Sequence, residues 1–108
     1  MKIAFERTPT AICAVLTDAG ECDRIITVAR ASDAIDALAL DINAAAFTPL
    51  DALFSLPRVV CVEIERRGGG WRVEVAYWSK GLGTLAQYEA EAATLSEALA
   101  RCVWALAR

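Results

Sequence analysis

The residue types on which most enzyme active sites depend are sparse in this sequence. Among its 108 residues there is no histidine. Its absence removes the usual proton shuttle, the Ser-His and Cys-His nucleophile pairs and the commonest metal ligand. We therefore expect a protein that is not an enzyme and that uses no cofactor.

The four cysteines, Cys13, Cys22, Cys61 and Cys102, are the next candidates for chemistry. Structural zinc sites use close pairs such as CxxC, whereas consecutive cysteines here lie 9, 39 and 41 residues apart. A reactive thiolate needs a neighbouring base or cation, and the sequence indicates none. We predict four free, reduced cysteines that bind no metal and react slowly in the native protein.

Two further patterns could belong to a site. Glu63 and Glu65, like Glu89 and Glu91, alternate with other residues, which suits acid-base work or a hard cation but equally a solvated strand face. Residues 80–84 read KGLGT, but a phosphate loop places its lysine and hydroxyl after the second glycine. We favour a solvated strand face and an ordinary loop.

A basic and aromatic cluster surrounds three consecutive glycines. Its members are Arg66, Arg67, Trp71 and Arg72. Such side chains can contact phosphates and stack on a base. The glutamates interleaved with them would repel a nucleic-acid backbone. Nucleic-acid binding is therefore the alternative function, and we expect no measurable binding near physiological salt.

Two surfaces are candidates for binding another protein. Trp104 lies between Arg101 and Arg108 on the polar face of a predicted helix, a composition typical of interface hot spots. Residues 1–57 carry four basic and eight acidic side chains, an excess of acid that fits a basic partner or simply keeps the protein in solution. The predicted partner-binding residues are Asp33, Asp36, Asp41, Arg101, Trp104 and Arg108.

Residues 58–78 are predicted to form the β-hairpin on which a small antiparallel sheet is built. Apolar and polar residues alternate on both sides of Gly68, Gly69 and Gly70, the pattern of two strands with one buried face. The glycines supply the positive φ that a tight turn needs. We expect burial of Val60, Val62, Val73 and Val75.

Amphipathic helices are predicted over residues 33–46, 49–55 and 95–107, to cover the apolar face of this hairpin. The first has an apolar stripe at helical spacing: Ile35, Leu38, Ile42 and Ala45. The second opens with a capping threonine, a proline at the first helical position and an acid at the third: Thr48, Pro49 and Asp51. The third opens with a capping box formed by Thr94 and Glu97.

Strands are predicted at residues 2–6, 24–30 and 87–92, and residues 10–17 fit either a helix or a strand. A helix capped by Thr8 and Pro9 is narrowly favoured there, but the β-branched residues favour a strand that ends in a loop at residues 18–21. Three to five mostly antiparallel strands with three or four helices make an α+β fold. We expect one domain, residues 1–108, without an internal repeat.

The chain has no run of apolar residues that approaches the roughly 20 needed to span a bilayer. Lys2, Glu6 and Arg7 interrupt the start, where a secretory signal needs a continuous apolar region. We expect a cytoplasmic protein that does not contact a membrane.

The second half of the chain reads WRVEV from Trp71, then a glycine loop, YEAEA and TLSEALARCV. This pattern resembles small phage and prophage accessory proteins that have an α/β sandwich of a hairpin and a C-terminal helix. The resemblance implies a compact, non-catalytic cytoplasmic protein of the kind that includes anti-CRISPR inhibitors. It would bind and block a host or phage protein complex, and a second copy of the chain is another candidate partner.

Overall fold

A computed structural model of the chain describes residues 1–81 and 83–108. Within these residues the strands are β1 Lys2–Arg7, β2 Ile12–Thr17, β3 Arg24–Val28, β4 Val59–Arg67, β5 Gly70–Trp78 and β6 Leu85–Ala92. The helices are α1 Ala31–Ala37, α2 Phe47–Ser55 and α3 Leu95–Leu106, and a 3-10 turn, Ala44–Ala46, precedes α2. The predicted loop at residues 80–84 includes Leu82, which lies outside the described residues.

The strands form one antiparallel sheet in the order β3-β2-β1-β4-β5-β6. Buried residues of neighbouring strands lie opposite one another, as Ala14, Phe5, Val62 and Val75 do in a single row. The helices pack against this apolar face, and the other face is open. The α+β class expected from the sequence is confirmed.

The β4–β5 hairpin departs from strict alternation at its start. Val62, Val73 and Val75 are fully buried, but a bulge between Val59 and Cys61 turns Val59 into the core and leaves Val60 half-buried. The predicted burial of Val60 was therefore wrong by one residue, because a bulge adds one residue to one strand of the pair. The middle of the sheet is the β1–β4 contact, so this hairpin lies in the second half of the sheet.

The ambiguous segment at residues 10–17 contains strand β2, Ile12–Thr17, so the favoured helix was wrong. Ile12, Ala14 and Leu16 are buried, with half-buried residues between them. This period of two matches a strand that pairs with β1 on one side and β3 on the other. Pairing on both sides satisfies the backbone here, and it outweighs the helical spacing of the apolar residues.

The helix predicted over residues 33–46 is also wrong in extent, because α1 ends at Ala37. Ala39 has a φ of 53°, its N–H donates to the carbonyl of Asp36, and the N–H of Leu40 donates to the carbonyl of Ile35. These two bonds form a Schellman motif, in which a left-handed residue stops a helix. The chain then turns, and Asp41 lies outside any helix.

The predicted second helix is present, but its cap differs. Helix α2 begins at Phe47, and no side chain caps its N-terminus. The carboxylate of Asp51 instead accepts the backbone N–H of Ser32 at 3.0 Å and the Ser32 hydroxyl at 2.5 Å. Asp51 therefore holds the start of α1, and it joins two helices rather than capping its own.

Arg7 performs a similar task at the other end of α2. Its guanidinium donates to the carbonyls of Phe54, Leu56 and Val59, which belong to the end of α2 and the start of β4. These bonds satisfy carbonyl groups that a helix end leaves free.

Helix α3 begins at the residue that the capping pattern predicted. The Thr94 hydroxyl accepts the N–H of Glu97 at 3.3 Å, while the Glu97 carboxylate pairs with Arg101 at 3.1 Å. Half of the predicted capping box therefore forms. The buried residues of α3 are Leu95, Ala98, Leu99, Cys102 and Leu106.

The secondary-structure order βββα occurs twice among the described residues, although the sequence itself has no evident internal repeat. Strands β1–β3 with α1 form the first half, and β4–β6 with α3 form the second. The two halves meet at the antiparallel β1–β4 pair, so the sheet order is symmetric about its middle. The 3-10 turn and α2 connect the halves.

The strand registers give the residue correspondence between the halves. Phe5 pairs with Ala14 as Ile64 pairs with Val73, so residues 2–17 correspond to residues 61–76. Ala14 pairs with Ile26 as Val73 pairs with Ala90, so residues 24–38 correspond to residues 88–102. Both helices begin three residues after the preceding strand ends.

None of the helices in residues 1–81 and 83–108 is long and apolar enough to cross a membrane.

Candidate protein-binding groove

Trp104 stands on the outer side of α3, opposite the residues that this helix buries. It is 69% exposed, an unusual environment for the largest apolar side chain. The Arg108 guanidinium lies 3.4 Å from the centroid of the Trp104 ring, in a cation-π contact. Two of the predicted partner-binding residues are therefore in direct contact.

An open groove of about 850 Å³ runs between Trp104 and α2. One wall is α3, and the other is the 3-10 turn and the first part of α2. The lining is mostly small and apolar: Ala45, Pro49, Ala52, Ala100, Val103 and Ala107 contribute to it beside Trp104. We call this surface the Trp104 groove.

A second hollow, of about 550 Å³, lies on the other side of the same ring. Tyr88, Ala100 and Arg101 line it together with Trp104. Arg101 donates to the carbonyl of Glu91 on β6 at 2.7 Å, so it also fastens α3 to the last strand. Trp104 is therefore a ridge between two depressions, and a partner could contact it from either depression.

Cations gather at the C-terminal end of α3. Lys80 Nζ donates to the carbonyl of Arg108 at 2.7 Å, and Arg58 Nη2 donates to the carbonyl of Leu106 at 2.9 Å. Positive charge at this end of a helix interacts favourably with the helix dipole. These bonds fix the end of α3, where Arg108 lines the groove.

The acidic candidates do not join this surface. Asp33 and Asp36 belong to α1, Asp33 pairs with Arg30 at 3.2 Å, and Asp41 follows the helix. None of the three is among the described residues that line the groove. The helix predicted over residues 33–46 would have carried all three, and this was wrong for Asp41, because α1 ends at Ala37.

The basic cluster of the hairpin is divided between the two faces of the sheet. Arg66 stacks on Trp71, with 5.2 Å from its guanidinium carbon to the ring centroid. Arg67 pairs with Glu65, and its hydrogen bond is the main cause of a lowered pKa of the Glu65 carboxyl. The four predicted nucleic-acid residues therefore do not present one unpaired basic surface.

Arg72 is enclosed by carboxylates on the open face of the sheet. Its side chain is 13% exposed and contacts Glu63, Glu74 and Glu89. The hydrogen bond to Glu89, together with the charges of Glu89 and Glu74 and the hydrogen bond to Glu74, raises the pKa of Arg72, and the hydrogen bond from Arg72 lowers the pKa of Glu89. A guanidinium with three acidic neighbours is poorly available to a phosphate.

The four cysteines are free, but their environments differ. Cys102 is buried, which raises the pKa of its thiol to about 11, and burial is also the main cause of the raised pKa of Cys61. Cys22 is exposed, so burial does not protect this thiol, and its slow reaction stays a prediction. Within residues 1–81 and 83–108, no group of three or more Cys, Asp or Glu side chains is placed to hold a metal ion.

A hollow of about 420 Å³ lies beside the β1–β2 turn and includes Arg7 and Asp51. Their polar atoms already bond to backbone carbonyls and to Ser32. The polar groups at this place hold elements of the fold together, so we favour the Trp104 groove as the functional surface.

Sequence reasoning found the tryptophan of the groove but missed the wall opposite. Pro49 and Ala52 were read as parts of a helix start and interior. Their place beside α3 depends on how two helices pack, for which the sequence gives no local signal.

Comparison of the chain with family models, curated proteins and solved structures finds no match.

Proposed function

We propose that this protein is a small, non-catalytic interaction module that binds another protein through the Trp104 groove. The observation that carries the proposal is a highly exposed tryptophan forming the ridge beside an apolar groove. Tryptophan and arginine are enriched among the residues that dominate interface energies, and both are present here in contact.

The internal repeat supports the proposal, because the fold does not need Trp104. The residues of α1 and α3 that fill the core correspond pairwise: Ala31 and Leu95, Ala34 and Ala98, Ile35 and Leu99, Leu38 and Cys102. Trp104 lies beyond the last of these positions. Helix α1 stops before the equivalent point, so the ridge belongs to an extension that the first half lacks.

The resemblance to phage accessory proteins is consistent with this role. A compact protein without a catalytic constellation can act by covering part of a larger assembly. We propose a host or phage protein complex as the partner, and the cytoplasm as the place of action. The steering role of Asp33, Asp36 and Asp41 stays a prediction, since they do not line the groove.

Nucleic-acid binding is the weaker alternative. Affinity for nucleic acid depends on cations free to neutralise phosphates. Arg67 and Arg72 are paired with carboxylates instead. We expect no salt-sensitive complex with DNA or RNA, and none that Arg67→Ala weakens.

The test compares Trp104→Ala with Trp78→Ala in affinity capture from nuclease-treated lysate, followed by binding measurements on the captured partner. Trp78 is a matched control, because it is 47% exposed and lies at the end of β5. Truncating a hot-spot tryptophan weakens binding by about 2 kcal/mol or more. Trp104→Ala should lose the partner, and Trp78→Ala should retain it.

Thermal unfolding decides whether the loss is specific. Since Trp104 is mostly exposed, its truncation should leave the melting temperature nearly unchanged. A Trp104→Ala variant that unfolds, or that keeps every partner of the wild type, would contradict the proposal. A complex abolished by nuclease would favour the alternative.

A further inference from the structure

We propose that the occupant of the Trp104 groove is an amphipathic helix of the partner, with large apolar side chains on one face and carboxylates at the end that meets Arg108. This inference rests on the proposed function and specifies the chemistry of the partner.

The shape of the groove indicates a helix. Its walls are two helices, α2 and α3, and it is open along its length rather than enclosed. Helix-in-groove recognition lays an apolar helix face against such a surface, with anchors at positions i, i+3, i+4 and i+7.

The size of the lining residues indicates large anchors. Four alanines line the groove, at residues 45, 52, 100 and 107, and Trp104 rises at its side. Small side chains let another backbone approach and leave space that large apolar side chains can fill. A partner face of leucine, methionine or phenylalanine would therefore complement it, with close packing like that of a protein interior.

The charges indicate carboxylates at one end. Among the described residues that line the groove, the carboxylate is Glu97, and Arg101 already pairs with it. At the C-terminal end of α3, Arg108 lies on the tryptophan ring and Lys80 is bonded to the Arg108 carbonyl. Acidic residues of a partner could pair with the Arg108 guanidinium, which lines the groove at this end, and such complementarity also fixes orientation.

The test selects binders from a display library of helical peptides. Each peptide keeps an apolar stripe at the four anchor positions, and its flanking positions vary among Glu, Lys and Gln. Selection on the wild-type protein should enrich glutamate at one end of the stripe. The best peptide is then measured against Trp104→Ala, Arg108→Glu and the control Arg24→Glu, which reverses an exposed arginine on β3.

We expect roughly thirtyfold weaker binding by Trp104→Ala, as for a hot-spot residue. Arg108→Glu should weaken binding roughly fivefold and reduce its salt dependence, whereas Arg24→Glu should change neither. Melting curves of the three variants confirm that each is folded.

The outcomes separate this inference from the proposed function. Enriched peptides that carry lysine or a random charge pattern, but still need Trp104, would overturn the acidic helix and leave the interaction surface standing. Peptides that bind Trp104→Ala as well as the wild type would overturn both. Failure to enrich any peptide over the Trp104→Ala protein would overturn the helical occupant.

Discussion

The two βββα halves of this molecule carry similar residues in the core, but opposite kinds of residue at four neighbouring positions on the open face of the sheet. In the core, Phe5 corresponds to Ile64 and Ile35 to Leu99, all of them buried. On the open face, the apolar set Ala4, Cys13, Val15 and Ile25 corresponds to the charged set Glu63, Arg72, Glu74 and Glu89. Packing thus constrains the buried positions and leaves the open ones free.

The charged set forms a network around Arg72, whereas the apolar set ends at a side chain left in solvent. Ile25 is 70% exposed on the edge strand β3, and its counterpart Glu89 pairs with Arg72 at 2.8 Å. The same sheet position therefore carries an isoleucine in one half and an ion-pair partner in the other.

The helices of the two halves, α1 and α3, also differ, in length. Helix α1 has seven residues and α3 has twelve. The residues shared by both helices fill the core, and the extra length of α3 carries Trp104. A surface that one half has and the other lacks, on a framework common to both, is where we expect function to lie.

The equivalence of the two halves in the core is tested by truncating one matched pair of buried residues, Ile35 and Leu99. Ile35→Ala and Leu99→Ala each remove a fully buried side chain. We expect each to destabilise by about 3 kcal/mol, through lost burial and the cavity left behind. Chemical denaturation measures both. A large loss for one variant and a small loss for the other would show that the halves do not share the core equally.

The network of the open face is tested by Arg72→Ala beside Cys13→Ala, its counterpart in the first half. Removing Arg72 takes the cation from Glu74 and Glu89, while Glu63 keeps its ion pair with Lys2 at 3.1 Å. We expect Arg72→Ala to lower the free energy of unfolding by about 2 kcal/mol at neutral pH, and Cys13→Ala to lower it clearly less.

The pH dependence of this loss has a defined sign. Arg72 lowers the pKa of Glu89 below its ordinary 4.5, so the native state holds fewer protons there than the unfolded state. The stabilisation is fully present above that value and is lost as the pH falls through the lowered native pKa. The gap between wild type and Arg72→Ala should therefore narrow in acid. A gap that stays constant in unfolding titrations would mean that Arg72 acts by packing rather than by charge.

Much of this fold could be predicted from local patterns. The β4–β5 hairpin, the start of α3 and the α+β class follow from alternation, glycine and capping signals. Strand β2 and the end of α1 could not be predicted in this way. The identity of β2 depends on pairing with two distant strands, and α1 ends at an alanine, which normally continues a helix.

The repeat escaped sequence reasoning because it is conserved in burial rather than in identity. Leu38 corresponds to Cys102, and Ala14 to Val73, substitutions that keep a position apolar but change its letter. For the site, spacing on a helix correctly indicated that Trp104 is exposed. The opposite wall, and the pairing of Arg67 and Arg72 with acids, required the packing of separate elements.

The third prediction concerns Cys102, which takes the place that Leu38 has in the first half. Burial raises the pKa of this thiol from 9.0 to about 11, so the native state retains a proton that the unfolded state loses first. The contribution of the Cys102 thiol to stability is fully present below pH 9 and should fall as the pH rises toward 11. Cys102→Val keeps an apolar side chain of similar size without a titrating group, and it should remove this alkaline loss.

Thiol labelling offers an independent measurement of the same burial. In the native protein, Cys22 should react first and Cys102 last. Equal labelling rates for these two residues would contradict the burial of Cys102. A loss of stability at alkaline pH that persists in Cys102→Val would show that another group causes it.

The smallest expected effect comes from the position at which the two helices part. Ala39, in the first half, corresponds to Val103, and Ala39 has the positive φ that ends α1, whereas Val103 lies inside α3. An alanine in the left-handed region carries a steric penalty that glycine avoids, while glycine gives the unfolded chain more freedom. Ala39→Gly should therefore stabilise the protein, by about 0.5 kcal/mol.

Val103→Gly places glycine in a helix interior and removes a half-buried side chain, so it should destabilise the protein by about 1 kcal/mol or more. If the two substitutions change the free energy of unfolding in opposite directions, the two halves differ in backbone conformation at this position, as measured by denaturant unfolding. If Ala39→Gly instead destabilises to a similar degree, α1 continues through residue 39 in solution, and the extension carrying Trp104 is not what distinguishes the second half.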